Sequence, residues 1–481
     1  MQRRRFLTGL LVSVLWVCVP SGLVAAEQPT WLVGTAKAKI TPEKAIWLSG
    51  YGHRDRPAEG TLHDLWIKVL ALQSPDGHRA VVVTSDLLGL PQGMYDEICA
   101  RLDEQCQLDR ADIMLTASHT HTSPVLRDAL YDIYPLDEEQ VALIEEYSLA
   151  LEKTMVATVA EALSELTPAT LWAGEGTTNF AVNRRNNREA EVPDVLARGA
   201  TLTGPVDHSV SVLAVRGQPS GLRAVVFGYA CHSTTLDSYE WSGDYGGFAQ
   251  MALQQGRDDT LAMFYQGCGA DQNPMPRRSV ALAQRYGNML AAAVEVVLRE
   301  PMRPVAPRLQ TAFEFVQLDF GNPLGEVELQ AQAEKDVYHA RRARRLLKQL
   351  AEGKALPSGY RYPVQVWKLG EDQLWISLGG EVVVDYALRF KREFGPQTWI
   401  SGYTNDVMAY IPSKRVWTEG GYEAGAFYVY GLPTDRWGGD IEERIAACVK
   451  RLIESLGQQP AEEAGRKARK DEAIAASGRS G

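Results

Sequence analysis

The chain has 481 residues, 45% of them hydrophobic and 23% charged, with a formal net charge of -10. That composition is ordinary for a globular protein, and the acidic balance argues against a nucleic-acid surface, which needs clustered Lys and Arg to neutralise phosphates. The one basic cluster, Arg341, Arg342, Arg344, Arg345 and Lys348, falls in a helical stretch and reads as a solvated helix face.

In chain order, Arg3, Arg4 and Arg5 precede a mostly apolar run from Phe6 to Val19, and Val24-Ala25-Ala26 offers small residues for a signal peptidase. Residues 1–26 therefore read as an export signal, with Arg-Arg-x-Phe-Leu in the style of a twin-arginine signal. The expected product is exported, periplasmic or secreted. Strands are predicted at Trp31–Ile40, Leu65–Leu72 and Ala80–Asp86, and a helix at Gln92–Leu108. A short apolar strand, Ile113–Ala117, runs into Ser118-His119-Thr120-His121. A long helical pattern spans Leu136–Leu166, with Ile144, Leu151, Met155 and Val159 at near-helical spacing. Strand signals return at Val210–Val215, Leu222–Ala230 and Leu261–Tyr265, followed by a helix at Ser279–Arg299. Residues 308–320 read as a strand and 326–351 as a surface helix. A hairpin around Gly370-Glu371-Asp372, a helix at Val383–Phe394 and a strand at Thr398–Ser401 complete the pattern.

Helices and strands interleave throughout, which predicts an α/β (α+β layered) fold: mixed sheets covered by helices, in one large domain over residues 27–457. Residues 458–481 are rich in Ala, Glu, Lys, Arg, Gly and Ser and read as a disordered tail. Outside the signal the five cysteines are Cys99, Cys106, Cys231, Cys268 and Cys448. An odd, sparse set is not a disulfide framework, although Cys99 and Cys106 could pair across a helix end.

Four places carry candidate chemistry. His119 and His121 follow an apolar strand, and residues two apart in a strand share a face, so both imidazoles are expected to face one pocket. His232 follows the apolar strand at Leu222–Ala230, and a glycine-rich loop, Ser242-Gly243-Asp244-Tyr245-Gly246-Gly247, comes after it. Leu378-Gly379-Gly380-Glu381 ends a strand in a carboxylate, and Tyr410 lies in a loop after Trp399–Ser401. A lone histidine is more often a satisfied core residue. Two strands that each end in histidine suit a catalytic zinc, which takes three protein ligands and an open position. Cys231 adjoins His232, but neighbouring strand residues point to opposite faces, which argues against a Cys–His dyad.

Taken together the motifs resemble those of the neutral, non-lysosomal ceramidases. Thr116 to Pro124 resembles the His-Thr-His-Ser-Gly-Pro motif, and Gly50-Tyr51 resembles an early Gly-Tyr. Asn183-Arg184 resembles the Asn-Arg-Ser-Pro segment, and Ser242 to Ala249 resembles the Asp-x-x-Gly-Tyr-Ala segment. Gly379-Gly380-Glu381 resembles the Pro-Gly-Glu turn, and Asn405 to Tyr410 resembles the Asn-x-Tyr-x-x-Tyr run. The resemblance implies a Zn2+ held by His119, His232, Glu381 and Tyr410, with His121 as a proton-transfer group. It departs at three points. The segment with the family's catalytic serine is Gly267-Cys268-Gly269-Ala270-Asp271-Gln272-Asn273-Pro274, which has no serine; Asp271 or Gln272 takes its place. Asn183-Arg184 is followed by Arg185-Asn186 instead of Ser-Pro. The extra β-sandwich domain of full-length ceramidases is not matched.

The implied activity is hydrolysis of the amide of ceramide-like N-acyl lipids, presented at a membrane surface, by metal-activated water. Catalysis falls to His121, Asp271 and Tyr410, and substrate binding to Arg184, Asp244 and Gln272. The competing expectations are a zinc esterase, lactonase or other N-acyl amidase on a non-sphingoid substrate, and a non-catalytic binding protein on the same scaffold.

Overall fold

A computed structural model describes residues 30–217 and 221–457. The expected export signal and polar tail lie outside the described residues. The first large sheet is built from β1 (Trp31–Lys39), β2 (Trp66–Gln73), β3 (Arg79–Ser85), β4 (Ile113–Ala117), β5 (Thr167–Thr177), β6 (Ser209–Gly217), β7 (Leu222–Tyr229) and β8 (Leu261–Gln266). Their order is β8-β7-β6-β5-β1-β2-β3-β4, and the short strand Arg303–Val305 also pairs with β5. The middle of the sheet is antiparallel, whereas each edge ends in a parallel pair, β7 with β8 and β3 with β4. These edge strands are buried over nearly their whole length, which matches their continuous apolar sequences.

The sheet curls until its edges meet. Lys68 in β2 donates to the Ala262 carbonyl in β8 at 2.8 Å, and the Ser233 hydroxyl beyond β7 donates to the Ser118 carbonyl beyond β4 at 2.7 Å. The curl brings together chain ends that lie far apart in strand order.

A second sheet, β9 (Leu309–Asp319), β10 (Gly359–Leu369), β11 (Gln373–Leu378) and β12 (Trp399–Ser401), lies against the first. Side-chain alternation explains how it buries both faces. Trp367, Leu369 and Trp375 pack with Val82, Met114 and Met263 of the first sheet. Val364, Val366 and Ile376 face the other way, onto α6 (Val384–Phe394) and α7 (Ile441–Leu456). The outer face of the first sheet is covered by α1 (Gln92–Cys106) and α2 (Glu138–Ser164) at one end. At the other it is covered by α3 (Asp244–Gln254) and α4 (Val280–Arg299). The layers run helix, sheet, sheet, helix, as the interleaved pattern predicts. Among the described residues no helix is long and apolar enough to cross a membrane.

Two of the longer elements escape the sequence reading. β5 is an eleven-residue strand with glycines at 174 and 176 and an exposed face. Those glycines are needed because a Cβ at either would meet Val297 of α4 at 2.5 or 2.8 Å. The expected elements also stop at Ser401, yet α7 buries Ile441, Ile445, Val449 and Leu452 in a regular stripe. The expected helix over 326–351 is broken in two, Glu326–Gln332 and α5 (Val337–Ala351).

The basic cluster in α5 is a solvated face only in part: Arg344 and Lys348 are exposed, whereas Arg342 and Arg345 are engaged by the fold. Arg342 is fully buried and donates to the Leu432 and Thr434 carbonyls, Gln332 and Asp435. Arg345 holds Asp132 and the Gly431 carbonyl. Cys99 and Cys106 sit seven residues apart in one helix, about 10 Å along its axis at 1.5 Å per residue, beyond the reach of a disulfide. All five described cysteines are free and buried.

Candidate metal centre

The loop after β4 carries His119 and His121, and that after β7 carries His232. The short strands Glu381–Val382 and Tyr410–Ile411 pair in parallel, with Glu381 opposite Tyr410. His119 and His121 lie past the end of the strand, so strand alternation does not set their common direction. A left-handed backbone at His119 (φ 55°) makes the turn instead. The rings still converge: His119 and His121 are 4.9 Å apart by centroid, His119 and His232 4.8 Å, and His121 and His232 5.6 Å. Tyr403 and Asn405 in the neighbouring loop share the left-handed conformation. Such strain clusters where surrounding structure over-determines a site.

Backbone carbonyls fix the tautomers. His119 Nδ1 lies 2.6 Å from the Leu88 carbonyl oxygen, and His232 Nδ1 lies 2.8 Å from that of Gly269. A carbonyl only accepts, so each Nδ1 carries the proton and each Nε2 presents a bare lone pair. Those two Nε2 atoms lie 3.3 and 3.0 Å from one oxygen of Glu381. The Nε2 of His232 and that Glu381 Oε2 are buried and make no hydrogen bond. His121 Nε2 adds a further atom 3.2 Å from His119 Nε2.

Burial, aided by the charge of Arg184, pulls His232 down to about 4, so it is neutral at ordinary pH. Burial pushes the Glu381 carboxyl up, and it sits well below the usual range only where positive charge stands at the His119 and His232 nitrogens facing it. Lone pairs and a carboxylate converging in a dry pocket repel one another unless a cation sits among them. The donor set of imidazole nitrogen and carboxylate oxygen fits zinc.

Surrounding residues build the pocket. Gly50 has φ +94°, and a Cβ there would stand 2.4 Å from the His121 ring. Arg54 is buried and donates to the His121 carbonyl at 2.9 Å, while Tyr51 packs on the His121 ring. Tyr430 donates a hydrogen bond to Glu381 Oε1. The sequence reading passed over Tyr430, since its segment has no periodicity and lies 49 residues from its partner.

The remaining expected site residues divide. The Tyr410 phenol meets Arg184 Nη2 at 3.3 Å, and burial together with nearby Glu381 raises its pKa well above the usual value. Arg184 reaches from Tyr410 to Glu423. Asp271 accepts from the Val384 amide at the start of α6 at 2.8 Å and from Asn183 at 3.2 Å, and burial raises it to about 6. Its described bonds do not reach the histidines. The Gln272 side chain donates to the Ala230 carbonyl and accepts from the Asp207 amide, while its own carbonyl accepts from the His232 amide. Asp244 accepts from the Leu236 and Tyr245 amides. The structure thus gives Gln272 and Asp244 backbone partners that shape the histidine loops. Cys231 is buried, and burial raises its thiol well above the usual value.

The neutral/alkaline non-lysosomal ceramidase N-terminal family matches residues 31–269. No curated protein matches the chain. Among solved structures, the neutral ceramidase from Pseudomonas aeruginosa is similar, with a TM-score of 0.70 at 18% identity over 90% of this chain and 76% of that one. A ceramidase complexed with C2 gives a TM-score of 0.66 at 18% identity, over 88% and 76%. Through residues 31–269, the chain belongs to the neutral/alkaline non-lysosomal ceramidase family.

Proposed function

We propose that the chain is a zinc-dependent amidohydrolase that cleaves N-acyl amides of the ceramide type into a fatty acid and an amine. The observation that carries this reading is the convergence of two bare imidazole Nε2 atoms on one Glu381 oxygen. His119, His232 and Glu381 would hold the ion, with Tyr410, paired opposite Glu381, as the fourth ligand. Zinc in that position supplies a Lewis acid for the scissile carbonyl and a water of lowered pKa.

The chain's own residues do the rest. His121, whose Nε2 lies 3.2 Å from His119 Nε2, takes up and hands on a proton. Arg184, 3.3 Å from the Tyr410 hydroxyl, places a guanidinium where negative charge develops on the carbonyl oxygen. The Leu88 and Gly269 carbonyls keep the two ligand imidazoles in one tautomer and orientation. Asp271, at the place of the family's serine in the chain, serves as the base, and the protein is exported before it acts.

The test is metal analysis of the purified protein together with hydrolysis of a fluorescent ceramide. About one zinc per chain with chelator-sensitive turnover supports the reading. The variant His232→Ala is expected to lose both metal and activity, and full activity in it overturns the site. One observation favours a second reading, an N-acyl amidase or esterase on a non-sphingoid substrate: the cleft beside Arg184 is lined by charged side chains.

A further inference from the structure

Next to Tyr410 and Arg184 the surface opens into a cleft of about 560 Å3. Four arginines, Arg184, Arg185, Arg188 and Arg277, line it against three glutamates, Glu189, Glu419 and Glu423. Met275 and the Tyr422 ring are its large apolar surfaces. Long acyl chains are held by burying their methylenes against apolar walls, which a charged lining does not offer. The apolar cavity near Leu88 and Tyr430 measures about 20 Å3, room for about one water.

The hydrogen-bonding capacity left in the cleft is weighted toward donors. Each glutamate is already shared by two guanidiniums: Glu423 by Arg184 and Arg185, Glu419 by Arg185 and Arg415, and Glu189 by Arg277 and Arg278. Each guanidinium has five N–H donors. Arg185 Nε is buried without a partner, and the Arg188 side chain, 86% exposed at the mouth, has one nitrogen 3.4 Å from Glu191 and further N–H groups to offer. Each glutamate already accepts two or more hydrogen bonds while guanidinium donors remain, a balance that suits an anion with planar or tetrahedral oxygens. Arg185 also stands where this chain departs from the Asn-Arg-Ser-Pro pattern.

We infer that the substrate is an acyl amide whose amine portion carries an anionic group, a carboxylate or a phosphate, held by the arginines of this cleft. The inference rests on the hydrolase reading for the reaction and on the cleft alone for the preference. Binding and turnover therefore test them separately.

The purified metal-loaded protein is titrated calorimetrically with three octyl-urea analogues of N-octanoyl-glutamate, N-octanoyl-phosphoethanolamine and N-octanoyl-ethanolamine, in which a urea replaces the scissile amide. At least one anionic analogue is expected to bind tenfold or more tightly than the neutral one. The margin should shrink in high salt and narrow at least threefold in Arg188→Gln and Arg277→Gln. The tighter of the two anionic analogues identifies carboxylate or phosphate. Equal or tighter binding of the neutral analogue, or no binding of any, overturns the inference. Turnover of the three parent amides tests the reaction: anionic preference without turnover keeps the cleft assignment and removes the hydrolase reading, and turnover with neutral preference does the reverse.

Discussion

Which atoms would hold a metal ion turns on His121 and Tyr410. Ligand atoms of His119, His121 and His232 all lie within 4.8 Å of one another, so three histidines form a geometric alternative to a set that includes Tyr410. If Tyr410 is the ligand, His121→Ala should retain about one zinc per chain while losing most of its turnover, and Tyr410→Phe should bind zinc more weakly. Metal content by mass spectrometry reads the difference, and the opposite pattern assigns His121 to the ion. Gly50 is the second sensitive residue. An alanine there meets the His121 ring and adopts a left-handed backbone, so Gly50→Ala should cost about 1 kcal/mol or more in denaturant unfolding. It should also lower turnover by displacing His121.

At the level of elements, α5 holds the loop that bears Tyr430. Arg342 bonds the Leu432 and Thr434 carbonyls and Arg345 the Gly431 carbonyl, just beyond the tyrosine that donates to Glu381. Removing a buried guanidinium leaves the groups it served unpaired. Arg342→Ala is therefore expected to lose about 3 kcal/mol in denaturant unfolding, with a drop in zinc affinity as Tyr430 loosens. A loss of stability with unchanged zinc affinity would separate the helix from the site. The basic run looked like a solvated face because helical periodicity reports which residues share a side. It does not report which side a second loop covers, and residues 431–435 cover this one from some 90 positions away.

Across the whole molecule, buried carboxyls set part of the pH dependence. Burial raises Asp406 to about 7, with Tyr360 donating to it at 2.7 Å. In the unfolded chain an Asp ionises near 4. Between about pH 4 and 7 the folded state thus binds more protons than the unfolded state, and this group's contribution to stability falls as pH rises. His232, pulled down to about 4, contributes in the opposite sense over the same range, so the clean measurement is a difference. Asp406→Asn should gain Tm relative to the parent steadily from pH 4 to 7, and a constant offset would refute a protonated Asp406. The five described cysteines are free and buried, so Tm is expected to be the same with and without a thiol reductant.

The sequence by itself determined the local elements and the kinds of group at their ends. Apolar runs of strand length ending in His119, His232 and Glu381 were legible because burial of a strand and the polarity of its terminus are both written in consecutive residues. Tertiary structure decided which termini meet. β4 and β7 lie near opposite edges of one sheet, and only its curl brings their loops together. The direction of the His119 ring came from a left-handed turn instead of strand alternation, and Tyr430 reached Glu381 through a loop without regular pattern. Asp244 and Gln272 carry the residue types of a binding site, yet the folded loops give them backbone partners. The physical reason is the same in each case: periodicity encodes contacts within an element, while closure of a sheet and the covering of a helix are fixed by contacts between residues far apart in the chain.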